Sequence, residues 1–184
     1  VIDALLDAEG DDQIRAVIFT GGTKVFCAGA DITVDASDSI VPPRLWDKIS
    51  PKRTYSYYYL IEDIGKPVIA AIAGYCLGGG LELACTCDIR IAAENAILGD
   101  AHTRVGAFPT GGSTQRLTRI IGIAKAKELI FSGEPINAKE AERIGLVNKV
   151  VPTESLLDEA KKMASVYKER PPIVIKLAKA AIND

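Results

Sequence analysis

The sequence predicts an α/β fold, with a strand-rich core followed by a helical C-terminal part in the same domain. Three observations carry this. Val68 to Gly74, VIAAIAG, is a continuous apolar run of strand length, the pattern of a strand buried on both faces. It leads to three glycines, Gly78 to Gly80, and then to LELACTC, which has helical composition, so the stretch reads strand, glycine turn, helix. Strands and glycine turns dominate before about residue 110, and helices after it.

The chain in order supports this. Val1 to Glu9 has apolar residues at 1, 2, 5 and 6 and predicts a short helix that Gly10-Asp11-Asp12 ends. Arg15 to Thr20, RAVIFT, is a strand with a glycine pair after it. Lys24 to Asp31 ends in small residues, Cys27-Ala28-Gly29-Ala30-Asp31, as expected where a backbone lies against a ligand; the plain alternative is a tight loop. Thr33 to Ile49 is polar, contains Pro42-Pro43 and predicts a loop or mobile segment, of the kind that often covers a binding site. Arg53 to Ile64 predicts a helix whose tyrosines, Tyr55, Tyr58 and Tyr59, are available for packing.

Asp88 to Ala93, DIRIAA, alternates polar and apolar residues and predicts a strand, as does Ala96 to Gly99. Helices are expected over Ser113 to Ile121, Ala124 to Phe131 and Asn137 to Ile144. The last of these has Asn137 as N-cap with Glu140 three residues on, and Gly145 after its end. Leu146 to Val151 is a short strand stopped by Pro152. Thr153 opens a helix to Lys168, and Pro171-Pro172 starts a last one to Ile182.

Composition narrows the function classes. With 48% apolar and 25% charged residues, a core of ordinary size is affordable in 184 residues. The net charge of −2, without a Lys/Arg cluster, disfavours nucleic acid or an anionic membrane as partner. No apolar run is long enough to span a membrane, and the N-terminal stretch lacks a basic and an apolar signal region. Cys27, Cys76, Cys85 and Cys87 sit in apolar or glycine-rich surroundings and read as reduced, buried thiols of a cytoplasmic protein. With one histidine in the chain, a zinc site would need an unusual ligand set, so no metal is expected.

The chemistry concentrates at two glycine-rich turns, each after a strand. The first N–H groups of a helix point outward without intrahelical partners and can bind an anion or a developing oxyanion. Glu82, in the first turn after the glycines, places a carboxylate acid/base beside such donors. The plain alternative is a tight turn with a solvated glutamate. A phosphate loop would want Lys-Ser/Thr after the last glycine, where this chain has Leu81-Glu82. The second turn, at residues 28–31, can supply another donor, and two donors converging on one carbonyl oxygen are what acyl-transfer and enolate chemistry need. Ser113, His102 and Asp100 also permit a serine-hydrolase reading, but GGSTQ is not a nucleophile elbow.

Four stretches together, RAVIFTGG–KVFCAGADI, KPVIAAIAGYCLGGGLELACTCDIRIAAENAILG, PTGGSTQRLTRIIG and INAKEAERIGLVNKVVP, resemble the crotonase, or enoyl-CoA hydratase/isomerase, superfamily over nearly the whole chain. The resemblance implies the ClpP/crotonase spiral of repeated β-β-α units: residues 1–122 as α/β core with the CoA site, and residues 123–184 as a helical region for packing and trimerisation. The family extends further at both ends, which implies that the chain is part of a longer one.

The resemblance also implies an acyl-CoA thioester substrate, no cofactor beyond the coenzyme A of that substrate, and a homotrimer or dimer of trimers. It places the oxyanion donors on the N–H groups of Ala30 and Gly79. The CoA moiety falls along Ala28, Ala30, Asp31, Ile32 and Gly79. Glu82 takes the position of the first catalytic glutamate of the hydratases. At the second glutamate position this chain has His102, and a glycine of the following turn is replaced by Thr110. Histidine can act as acid or base near neutral pH, so hydration with altered roles is the expected reaction. Isomerisation, hydrolysis or non-catalytic acyl-CoA binding are the alternatives, and His102 as a plain loop hydrogen-bonder is the alternative for that residue.

Overall fold

The computed structural model describes residues 1–31 and 57–184. The expected loop over Thr33 to Ile49, residue Ile32 and the start of the helix expected from Arg53 lie outside the described residues.

Among the described residues, eight strands form two four-stranded sheets. Val17–Thr20 (β1), Val68–Ile72 (β3), Ile89–Ala93 (β5) and Lys149–Val151 (β8) make one, in the order β1-β3-β5-β8 and all parallel. Val25–Cys27 (β2), Tyr75–Leu77 (β4), Ile97–Gly99 (β6) and Ile136–Asn137 (β7) make the other, in the order β2-β4-β6-β7, with only the β6–β7 pair antiparallel. Each successive strand pair, β1β2, β3β4 and β5β6, thus lays one strand in each sheet. That is a spiral of repeats. The helices are α1 (Ile2–Gly10), α2 (Tyr57–Asp63), α3 (Gly79–Thr86), α4 (Ser113–Ile121), α5 (Ile123–Ser132), α6 (Ala138–Arg143), α7 (Leu156–Lys168) and α8 (Pro172–Asn183).

The apolar run from Val68 is buried along its whole length. Its alternate residues serve two cores. Val68, Ala70 and Ile72 face the main core with Leu81, Ala84 and Leu98, whereas Ile69 and Ala71 face a second core beneath Leu156 and Ala160 of α7. Each fully buried isoleucine contributes about 1.5–3 kcal/mol of transfer free energy, so this strand anchors both layers.

Two expectations need correction. The stretch read as strand, glycine turn, helix contains another strand, β4, between Gly74 and Gly78, and α3 begins within the glycines at Gly79. The small-residue loop after Lys24 likewise begins as a strand, β2. Three-residue strands are too short to show a period.

In β5 the alternation is present, but its polar side is not solvated. Arg90 is buried, and its guanidinium donates to the carbonyl oxygens of Leu146 at 2.8 Å and Cys87 at 2.7 Å. It satisfies carbonyls at the end of α3 that the helix leaves open. At α6 the Asn137 side chain accepts from Glu140 N–H at 2.9 Å, the expected cap. The C-terminal residues are not helical alone, because β7 and β8 complete one sheet each. Among the described residues, no helix is long and apolar enough to cross a membrane.

Candidate active site

The two glycine-rich turns leave β2 and β4, which are direct neighbours in their sheet. The chains after them meet backbone to backbone. A Cβ built on Gly29 would lie 3.3 Å from Gly79 N and 3.1 Å from Leu77 O, and one on Gly79 would lie 3.7 Å from Gly29 Cα. A side chain at Gly29 would press on the second turn and strain a backbone at φ +98°, whereas one at Gly79 would meet only ordinary van der Waals contact. Gly80 is tighter still, since a Cβ there would overlap the Cys27 carbonyl. Glycine at this point lets α3 start directly against the first turn.

A cavity of about 880 Å³ opens over this junction. Ala28, Ala30, Asp31, Gly79, Glu82 and His102 all line it, so the described members of the expected site come together; Ile32 lies outside the described residues. Thr110 lines the same cavity.

Glu82 is 3% exposed. Its Oε1 accepts from Ser113 N–H, at the start of α4, at 3.2 Å. Burial pushes its carboxyl above the ordinary glutamate value, and the Ser113 N–H and the His102 charge oppose this only in part. Its Oε2 lies 3.8 Å from His102 Nε2. The His102 side chain is 17% exposed, so its ring is held yet reachable from the cavity.

On the other side of the ring, His102 Nδ1 lies 2.6 Å from Asp100 Oδ1, and the same oxygen accepts from His102 N–H at 3.3 Å. The hydrogen bond to Asp100 holds the imidazole above its ordinary value, with burial opposing and the charges of Asp100 and Glu82 adding to the rise. Burial acts to raise the Asp100 carboxyl, but the hydrogen bond with His102 and the nearby Ser113 hydroxyl outweigh it, so it is held below the ordinary aspartate value. Asp100 Oδ2 and Ser113 Oγ are both buried, and neither has a partner of good hydrogen-bonding geometry among the described residues.

The pairing of Asp100 with His102 is made by a turn and not by a strand. In the structure, β6 ends at Gly99 and His102 opens a 3-10 turn, so the chain folds the ring back onto the carboxylate. His102 thus bonds within its own loop through Nδ1, and its second nitrogen faces the Glu82 carboxylate.

Other contributors had little sequence signal. The Tyr58 hydroxyl donates to the Gly79 carbonyl at 3.4 Å, and its ring lies 6.0 Å from the Arg116 guanidinium carbon. Arg116 binds both Glu62 carboxylate oxygens, at 2.6 and 2.7 Å, and the Gly111 carbonyl at 2.8 Å. It thereby ties α2, α4 and the turn under Glu82 together. Polar residues at helix spacing look alike whether they face solvent or a site, so only the tyrosine cluster hinted at this.

The serine-hydrolase arrangement does not form. Ser113 Oγ is fully buried rather than presented to the cavity, and Nε2, the ring nitrogen that a triad would turn toward its serine, faces Glu82 instead. Burial pushes the Cys85 and Cys87 thiols up to about 12, and all four cysteines are free. Among the described residues, no group of three or more His, Cys, Asp or Glu side chains is placed to hold a metal ion.

The paired-strand spiral and a carboxylate in the first turn of α3 define a crotonase-fold enzyme. The enoyl-CoA hydratase from Bacillus anthracis superposes with a TM-score of 0.86 at 42% identity, over 99% of this chain and 69% of that one. A profile described as enoyl-CoA hydratase/isomerase matches residues 1–184. The chain belongs to the enoyl-CoA hydratase/isomerase family. It is 44% identical over 178 residues to the short-chain-enoyl-CoA hydratase of Clostridium acetobutylicum, covering 96% of this chain and 67% of that protein. It is 44% identical over 183 residues to the crotonyl-CoA hydratase of Syntrophomonas wolfei, covering 99% of this chain and 69% of that protein. The chain thus spans about two thirds of the length of these relatives.

Proposed function

We propose that the protein is an enoyl-CoA hydratase, adding water across the 2,3 double bond of an acyl-CoA thioester. The observation that carries this is the facing pair, Glu82 Oε2 and His102 Nε2 at 3.8 Å, in the cavity where the two turns meet. The N–H groups of Ala30 and Gly79 take the thioester carbonyl oxygen and stabilise the charge it gains as water attacks Cβ. Glu82 is the base that takes the proton from water, and His102 is the acid that delivers one to Cα. Ala28, Ala30, Asp31, Ile32 and Gly79 carry the CoA moiety. Coenzyme A belongs to the substrate, and no further cofactor is needed.

The wider reading follows the same family. Residues 1–122 and 123–184 form one unit, which is supported by β7 and β8 joining the two sheets. Self-association as a trimer or dimer of trimers is supported by exposed apolar side chains such as Phe131, Ile173, Val174 and Leu177. The four free thiols support a cytoplasmic location.

The test is hydration of crotonyl-CoA, followed by loss of enoyl-thioester absorbance, for wild type and Glu82→Gln. Turnover by wild type with a loss of about 10²-fold or more in the variant is expected. Binding without turnover in both would overturn the hydratase reading and move isomerisation, hydrolysis or simple binding ahead.

A further inference from the structure

We propose that Asp100 is a positioning residue that decides which member of the Glu82–His102 pair carries the shared proton. The inference deepens the hydratase reading and, as a statement about catalysis, rests on it. Asp100 is 0% exposed, and its Oδ1 holds both the ring nitrogen Nδ1 and the backbone N–H of His102. A carboxylate only accepts hydrogen bonds, so Nδ1 must carry a hydrogen. Nε2, the nitrogen nearest Glu82, then alternates between acceptor in the neutral ring and donor in the cation.

One proton can sit on this pair in two ways. Either Glu82 is a carboxylate and His102 an imidazolium, or Glu82 is an acid and His102 neutral. Burial of Glu82 favours the second state, because it penalises the charged carboxylate. The negative charge of Asp100 favours the first. Among the described residues, Asp100 and Glu82 are the charged groups that act on the imidazole. Hydration needs the first state, with an ionised base and a loaded acid before substrate arrives.

The proton accounting is complete within the pair. An O–H bond of water breaks and its proton goes to Glu82. The water oxygen bonds to Cβ, the π electrons move toward Cα and the thioester carbonyl, and the Nε2 proton of His102 forms the new C–H bond at Cα. The cycle leaves Glu82 protonated and His102 neutral. Return of the proton from Oε2 to Nε2 restores the start, and Asp100 supplies the bias for that return.

Ser113 strengthens the arrangement at both ends. Its N–H holds Glu82 Oε1, and its hydroxyl lies near enough to Asp100 to help hold that carboxyl below its ordinary value, though without a hydrogen bond of good geometry. One residue at the head of α4 therefore fixes the base by its main chain and lies beside the positioning carboxylate.

His102 is the single histidine of the chain, so imidazole ¹⁵N resonances report on it alone. In wild type, the neutral ring at high pH is expected to carry its proton on Nδ1. Asp100→Asn can still accept from Nδ1 but has lost the charge, so the His102 titration midpoint falls. Its hydration kcat drops about 10²-fold while KM stays within about threefold. A proton on Nε2 in neutral wild type, or an unchanged midpoint in Asp100→Asn, would overturn the proposal. If the variant does not fold, the wild-type tautomer decides alone. If wild type fails to hydrate crotonyl-CoA yet titrates as described, the hydratase reading fails and the positioning role of Asp100 stands.

Discussion

The main chain at Gly111 lies so close to the Glu82 carboxylate that a Cβ on residue 111 would overlap Oε2. The same Cβ would stand 2.9 Å from the Tyr58 ring carbon that bears the hydroxyl. Gly111→Ala is therefore expected to push Glu82 out of line with His102. Crotonyl-CoA turnover should fall about 10-fold or more, as small displacements at a reacting centre do, with the far-UV circular dichroism unchanged. Wild-type turnover in this variant would show that Glu82 moves without consequence.

Gly80 carries a structural constraint rather than a chemical one. A Cβ there meets the Cys27 backbone, which cannot swing away as a side chain would. Gly80→Ala should cost about 3 kcal/mol, the upper end for overpacking, read as a lower urea midpoint. A loss below about 0.5 kcal/mol would mean that the two turns can separate freely.

Lys179 on α8 is 8% exposed, and its Nζ donates to Ile61 O at 2.7 Å, Lys66 O at 3.1 Å and Asp88 Oδ2 at 2.8 Å. Lys179→Met keeps the stem but leaves these acceptors without their donor. The expected cost is about 1–3 kcal/mol, because the Ile61 and Lys66 carbonyls lose the donor that satisfies them, while Asp88 keeps the Val68 N–H. Protease sensitivity of α8 should rise in parallel; an unchanged digestion pattern would argue that apolar packing holds this helix.

The pH dependence has two sides. The proposed reaction needs Glu82 ionised and His102 protonated, and both groups sit above their ordinary values of 4.5 and 6.5. The rate profile should be a bell whose two limbs belong to the pair. Both limbs should lie higher than for unperturbed groups, and His102→Gln should abolish the alkaline one.

Stability follows the same shifts. The raised His102 contributes stability that is full below 6.5 and is lost as pH rises through its folded value. Asp100, held below its ordinary 3.8, contributes stability that is present above that value and lost as pH falls through its folded one. The pair should therefore stabilise most between these limits. In denaturant melts, Asp100→Asn should flatten both edges of that window.

Much of this was legible because it is local. The run at Val68 needed only composition, and the cap at Asn137 only a spacing of three. The start of α4 at Ser113 came from a glycine pair before a helical stretch. The Glu82–His102 pairing came from two motifs of one resemblance. What escaped was either too short or too distant. β2 and β4 have three residues each, and Ser113 reaches Glu82 across 31 residues of chain. The burial of Arg90 was hidden because a strand pattern gives the face of a side chain but not what covers that face.

The direct pairing of β2 with β4 makes the sheet a gauge for the cavity floor. Adjacent strands run about 4.8 Å apart. The turns that leave these strands meet backbone to backbone at Gly29 and Gly79, so in the proposed reaction the spacing of the two donors depends on main chain and not on side chains. Residues that shape the rest of the cavity can then vary without moving it.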